Sequence, residues 1–214
     1  MMDELELLKK DWQKKEEHLP KLSYDDIYPM IWKKSSSMVK WIFYISIIEF
    51  VFWAAINFIS SDPQYMQDLK AMHIYNIMMV LNFVNYGIIL YFIFKFYLNY
   101  KKISVTDSSR KLMKTILKVK RTVTQYVWFN LIIFATYMII SLYGVLIYSE
   151  EGKEIVETAT RQGNEVTFWF LVIAVSILFT GVLLVVIWLF YKLLYGILLK
   201  RLKENYRELK KLEV

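Results

Sequence analysis

Glu49 is the residue of this chain best placed to do chemistry, because it stands alone in the apolar run Ser46-Ile-Ile-Glu-Phe-Val-Phe-Trp53. A charged side chain at the centre of a bilayer costs roughly 2.5 to 3.5 kcal/mol on insertion scales, so it faces the interior of a helix bundle and finds partners there. Two roles follow. As interhelical glue, its carboxyl joins neighbouring spans through hydrogen bonds worth about 0.6 to 2 kcal/mol each. As a transport site, it takes up and releases a proton or cation. Other polar residues inside apolar runs are Asn82, Asn85, Tyr137 and Thr180. Counted from the ends of their runs they fall near the depth of Glu49, which makes Asn82, Asn85 or Tyr137 its expected partner.

Little else in the chain has the makings of a reactive centre. There is no Cys, which removes disulfides, thiolate metal sites and cysteine nucleophiles. The two histidines, His18 and His73, are assigned to opposite sides of a membrane, so they share neither a metal ion nor a catalytic triad. Glycine-rich phosphate loops and the Gly-x-Ser-x-Gly nucleophile turn are absent. No catalytic, cofactor-binding or metal-ligating residue is therefore expected, and no cofactor.

The elements that must position Glu49 are membrane helices. Of the 214 residues 57% are hydrophobic and 17% aromatic, with only 6 Gly and 3 Pro, too apolar for an ordinary soluble domain. A span needs roughly 20 mostly apolar residues, and four runs qualify: 38–59, 74–98, 126–148 and 167–191. The expected fold is all-α, an integral membrane four-helix bundle with helical extensions into the cytoplasm. Lys and Arg set the orientation, since cationic loops stay on the cytoplasmic side. Residues 1–37 hold 7 Lys, 99–125 hold 8 Lys/Arg and 192–214 hold 7, against Lys70 alone in 60–73 and Lys153 and Arg161 in 149–166. Both termini and the central loop are thus expected in the cytoplasm of a bacterial cell, the chain being multi-pass in its cytoplasmic (inner) membrane. Trp41, Trp128 and Trp188 mark the inner boundary, and Trp169 the outer.

Three basic-side segments carry patterns of their own. The tail 1–37 reads as a helix over 3–17 with Leu5, Leu8 and Trp12 on one face, a break at Leu19-Pro20, and a second short helix from Ser23 carrying Ile27, Ile31 and Trp32. Too small to bury those faces as its own domain, it must rest on the rest of the chain or on a partner; with 8 acidic residues it suits the basic segments. Residues 107–123 form a basic amphipathic helix capped near Asp107, with Leu112, Met113, Ile116, Leu117 and Val123 on one side. Arg110, Lys111, Lys114, Lys118 and Arg121 line the other and are candidate contacts for anionic lipid. This helix either lies on the membrane or extends the third span, and the absence of a break before Tyr126 favours extension. In the tail 192–214, Tyr195, Leu198, Leu202, Asn205, Leu209 and Leu212 follow 3,4 spacing, the seam of an intramolecular bundle or of a homo-oligomer. Nothing in these basic segments supplies a nucleic-acid-binding fold or an aromatic platform for bases.

The wording DELELLKKDWQKKEEHLPKLSYDDIY followed by WKKSSS, with Leu8, Lys9, Lys10, Trp12 and Gln13 at its centre, resembles small uncharacterised four-helix membrane proteins of Bacteroidetes. Tails of this type also head membrane proteins encoded beside extracytoplasmic-function sigma factors, so the resemblance implies an anti-sigma-like role, without the His and paired Cys of the zinc-binding type. A lone acid in the first of four spans is also similar to the small multidrug resistance transporters, which are much shorter. The expected function is non-enzymatic: a membrane-anchored regulatory or scaffolding protein acting on a cytoplasmic protein partner through its cytoplasmic face. A small transporter or channel subunit using Glu49 is the alternative, and a lipid-modifying membrane enzyme the third reading.

Overall fold

The computed structural model describes residues 24–59, 63–104, 108–163 and 165–212. The segment holding Leu5, Leu8, Trp12, His18 and Ser23 lies outside the described residues. Among those described, every element is an α-helix: α1 (Tyr24–Ile59), α2 (Pro63–Ala71), α3 (Tyr75–Ser104), α4 (Ser109–Tyr148), α5 (Glu150–Arg161) and α6 (Glu165–Leu212). The fold is all-α. Four of these helices, α1, α3, α4 and α6, are long and apolar enough to cross a membrane, and the chain is a membrane protein.

The four long helices run up, down, up and down. α1 packs between α3 and α6, and α4 closes the square against the same two. One end of the bundle gathers Tyr24, Ser104, Ser109 and Leu212 with most of the Lys and Arg; the far end carries α2 and α5.

Burial divides unevenly between the two ends. At the basic end Val39, Ile42, Phe96, Ile103, Leu112, Val119, Leu202 and Leu209 are almost completely buried, as water drives apolar surface inward there. Towards the far end the apolar side chains point outwards: in the most apolar 18-residue window of α6 no residue is buried within the chain. Lipid tails are as apolar as Leu, so nothing forces those side chains inside.

The sequence pattern and the structure differ at several points. No break separates the tail 1–37 from the first span, because α1 runs unbroken from Tyr24 through Pro29 to Ile59. Pro29 sits in the second turn, where it removes one early backbone bond. Beyond it Ile31, Ser35, Met38 and Val39 are buried and hold the helix in place. The helix 107–123 extends the third span as the first part of α4, capped by Ser108 rather than Asp107, the Ser108 hydroxyl accepting from the Lys111 amide. Its buried residues Leu112, Ile116, Val119, Val123 and Tyr126 step by 4, 3, 4 and 3, which leaves Leu117 off the seam and 49% exposed, contrary to expectation. The seam of the last helix closes within the chain: Tyr195, Leu202, Asn205 and Leu209 are buried and Leu198 is partly so. The two far-end connections, read from sequence as plain loops, each hold a helix. Ser149 makes the joint between α4 and α5, its hydroxyl donating to Val145 O (2.6 Å) and accepting from Gly152 N (3.0 Å).

Candidate functional site

Polar contacts between side chains help stitch the basic half together and fix the register of its helices. Asn205 Nδ2 donates to Ser35 Oγ at 2.8 Å, joining α6 to α1, both side chains buried. Asn99 Nδ2 donates to Thr122 Oγ1 at 3.3 Å, joining α3 to α4. The third contact is Glu49. Tyr191 Oη donates to its Oε1 at 2.5 Å and Tyr195 Oη to its Oε2 at 3.0 Å. Tyr191 and Tyr195 are one helical turn apart on the same face of α6, so their hydroxyls reach both oxygens of one carboxyl. Their rings stack with centroids 6.1 Å apart, and Tyr126 of α4 meets each edge-on at 6.1 Å. Behind Tyr126 stand Phe92 and Phe96 of α3. Tyrosines of α4 and α6 therefore close around Glu49 of α1, with α3 backing them, and Glu49 is only 6% exposed.

These partners are not those expected. Tyr191 lies 11 residues from Thr180 along α6, and Tyr126 lies 11 from Tyr137 along α4, offsets of about 16 Å at 1.5 Å per residue. Thr180 and Tyr137 therefore sit about three helical turns further towards the other end of the bundle and are not level with Glu49. Asn85 comes nearer, since its neighbour Tyr86 meets Phe50 edge-on at 5.8 Å. Its Oδ1 is nonetheless buried without a hydrogen-bond partner among the described residues, and Asn82 lies almost a turn further away. The predicted polar cluster does not assemble. Its failure has a plain cause: the four apolar runs are staggered. Above the Glu49 level α1 continues only to Ile59, about 15 Å, whereas above Tyr191 α6 continues to Glu165, about 39 Å. Counting from the ends of each run gives a common depth only when the runs are aligned.

Lysines lie over aromatic rings on three of the long helices. Lys40 Nζ sits 5.5 Å from the Tyr44 ring centroid, Lys95 Nζ 4.6 Å from that of Tyr91, and Lys192 Nζ 4.9 Å from that of Trp188. On each helix the ring is four residues nearer the apolar half than its lysine, so the ammonium meets the ring face in a cation–π contact. Lys192 is the immediate neighbour of Tyr191, so a lysine stands at the level of the Glu49 cluster on α6. Trp41, Trp128 and Trp188 are exposed in the same zone. Tyr195 did figure in the predicted seam; the missed signal was that Tyr126, Tyr191 and Tyr195 place three phenols at seam positions close to the ends of two apolar runs.

The candidate lipid contacts Arg110, Lys111, Lys114, Lys118 and Arg121 are all exposed. They climb the side of α4, Arg110 about 16 Å below Arg121, so they do not share the plane that a helix lying on the membrane would have given them. A groove of about 800 Å³ lies between α1 and α6 at the basic end, floored by Met30, Ile31, Met38, Trp41 and Leu198 and edged by Lys33, Lys34, Arg201 and Glu208. A smaller one of about 110 Å³ lies between α4 and α6. Glu49 lines neither. Among the described residues no three His, Asp or Glu side chains come together as a metal site.

A family model described as a domain of unknown function (DUF8845) matches residues 25–214. The chain belongs to the DUF8845 family. No curated protein matches it, and no solved structure does. The DUF8845 region begins at the second residue of α1, so it takes in the whole bundle, the Glu49 cluster and the basic-end groove.

Proposed function

We propose that the chain is a membrane-anchored regulator or scaffold whose working surface is the packed basic end of the bundle, with both termini in the cytoplasm. The observation that carries this reading is the groove between α1 and α6. It joins an apolar floor to a charged rim of Lys33, Lys34, Arg201 and Glu208 and stands on the most deeply buried part of the molecule. An apolar groove with a charged rim suits an amphipathic helix from another protein, and the Lys/Arg excess at this end supports its placement in the cytoplasm of a bacterial cell. A sigma factor is one partner that the wording of the N-terminal tail suggests. The transporter reading is less well supported: both Glu49 oxygens already accept a tyrosine hydroxyl, and neither groove reaches them.

The test uses the full chain in nanodiscs, wild type against Lys34→Glu/Arg201→Glu, with captured cytoplasmic proteins quantified and the leading one purified. A partner whose affinity falls at least tenfold with the charge-reversed groove supports the proposal. Capture that is absent, or indifferent to the groove, rejects it. Flux assays in liposomes separate the runner-up: proton-coupled transport by wild type that Glu49→Gln abolishes would establish the transporter instead.

A further inference from the structure

We propose that the smaller groove, between α4 and α6, holds the headgroup of an anionic phospholipid, with its phosphate between Lys120 and Lys203 and its chains running along the two helices towards their apolar halves. The inference goes beyond the regulator reading and does not rest on it, because it concerns a different groove.

The packing of α4 on α6 brings the two lysines close to one level. Tyr126 meets Tyr195 edge-on across this helix pair, with ring centroids 6.1 Å apart. Lys120 lies six residues from Tyr126 and Lys203 eight from Tyr195, both towards the basic end, offsets of about 9 and 12 Å. Both line the groove, together with the Tyr206 ring and an apolar wall that includes Leu117 and Leu199. Neither lysine has an ion-pair partner among the described residues.

Charge selects an anion here. From Ser109 to Tyr148, α4 contains no Asp or Glu. On α6, Glu208 lines the other groove, and Glu204, one turn from it, shares its face. The wall of the α4–α6 groove is therefore cationic on both helices, and the Tyr206 hydroxyl adds a neutral donor. A phosphate diester suits such a pair of ammonium groups.

Size and surroundings select a lipid over a soluble anion. The groove measures about 110 Å³, whereas a site that encloses a whole small molecule takes roughly 300 to 1,000 Å³. Only a phosphate and its nearest carbons fit, so the rest of the ligand lies along the outside of the helices. That outside is apolar. Leu117 is 49% exposed in the groove wall, and Trp128 and Trp188 stand exposed further along α4 and α6. Over 126–148 and 166–191 these helices carry no charged residue, so acyl chains meet only neutral side chains there. The headgroup layer on each side of the hydrocarbon core is about 5 to 8 Å deep. A lysine stem reaches back over the few ångströms that remain between Lys120 and that layer.

Native mass spectrometry of the full chain in detergent tests the proposal, with dioleoyl phosphatidylglycerol as the anionic probe and dioleoyl phosphatidylcholine as its zwitterionic counterpart. The first bound phosphatidylglycerol is expected to bind about tenfold or more tighter than phosphatidylcholine. Each lysine near an anionic surface is worth about a factor of five, so Lys120→Gln/Lys203→Gln should weaken phosphatidylglycerol binding about 25-fold. Lys120→Arg/Lys203→Arg keeps both charges and should retain it. Lys114→Gln/Lys118→Gln removes the same charge from another face of α4 and should change it by no more than about twofold. Equal binding of the two lipids overturns the proposal. So does an equal loss in the two glutamine variants, which would assign the preference to diffuse attraction by the basic end, and so does a loss in the arginine variant as large as that in its glutamine counterpart. Displacement of phosphatidylglycerol by an equal concentration of glycerol phosphate, the headgroup without chains, overturns it in favour of a soluble phosphate.

Discussion

Replacing Glu49 by Leu removes the acceptor of two buried tyrosine hydroxyls while roughly preserving volume, so the change isolates hydrogen bonding from cavity formation. Tyr191 and Tyr195 each lose their acceptor at Glu49. A buried donor left unsatisfied costs about 1 to 3 kcal/mol, whereas interhelical hydrogen bonds in membrane proteins average about 0.6 kcal/mol because the unfolded chain finds other partners. Two such losses put Glu49→Leu at about 1 to 6 kcal/mol of destabilisation, the lower figure being twice the membrane average and the upper twice the full penalty. Adding Tyr191→Phe and Tyr195→Phe removes the orphaned hydroxyls as well, and replacing both partners of a hydrogen bond is close to neutral. The triple variant is therefore expected to be more stable than Glu49→Leu alone by about 1 to 3 kcal/mol. Glu49→Gln keeps one acceptor oxygen and gains a donor able to reach the second hydroxyl, which limits its cost to about 1 kcal/mol. Reversible unfolding in mixed micelles, read as the denaturing-detergent fraction at the midpoint, ranks the four proteins. If Glu49→Leu is as stable as wild type, or the triple variant is no more stable than the single one, the carboxyl is not the clamp between α1 and α6.

Other positions test the packing independently. Gly152→Ala would bring its Cβ to 2.2 Å from Val145 O and 2.9 Å from Leu146 Cα, both backbone. The joint between α4 and α5 must shift, and a loss of about 1 to 3 kcal/mol is expected in the same unfolding assay. Gly87→Ala meets nothing within 4 Å in the middle of α3 and is expected to stabilise by about 0.5 to 1 kcal/mol; a destabilised protein would show that something else occupies that face. Trp32→Phe keeps a ring against the core but loses the 2.9 Å bond from its Nε1 to Ile103 O. Hydrogen exchange should rise in the last turn of α3, at a stability cost of about 1 kcal/mol. Ser35→Ala removes the acceptor of the buried Asn205 amide, and a fall of about 1 to 2 kcal/mol is expected, largely recovered in Ser35→Ala/Asn205→Leu.

Local pattern determined much of this protein. The four apolar runs, the all-α class, the unbroken passage from residue 109 into the third span and the seam through Tyr195, Leu202, Asn205 and Leu209 all follow from hydropathy and helical period, which each segment carries in itself. The short helices α2 and α5 were less legible, being polar and lacking a long apolar period. A start at Ser23 suggested a short separate helix where α1 in fact continues through Pro29, because burial of Ile31, Ser35 and Met38 outweighs one missing backbone bond. The partner of Glu49 was beyond any reading of single spans. It depends on how far each helix slides past its neighbours, and that stagger is set by pairs distant in sequence: Ser35 with Asn205, Asn99 with Thr122, Phe92 with Tyr126. Sequence alone put Glu49 inside an apolar helix; the register of four helices put it against Tyr191 and Tyr195, because only packed side chains fix the axial offset between helices.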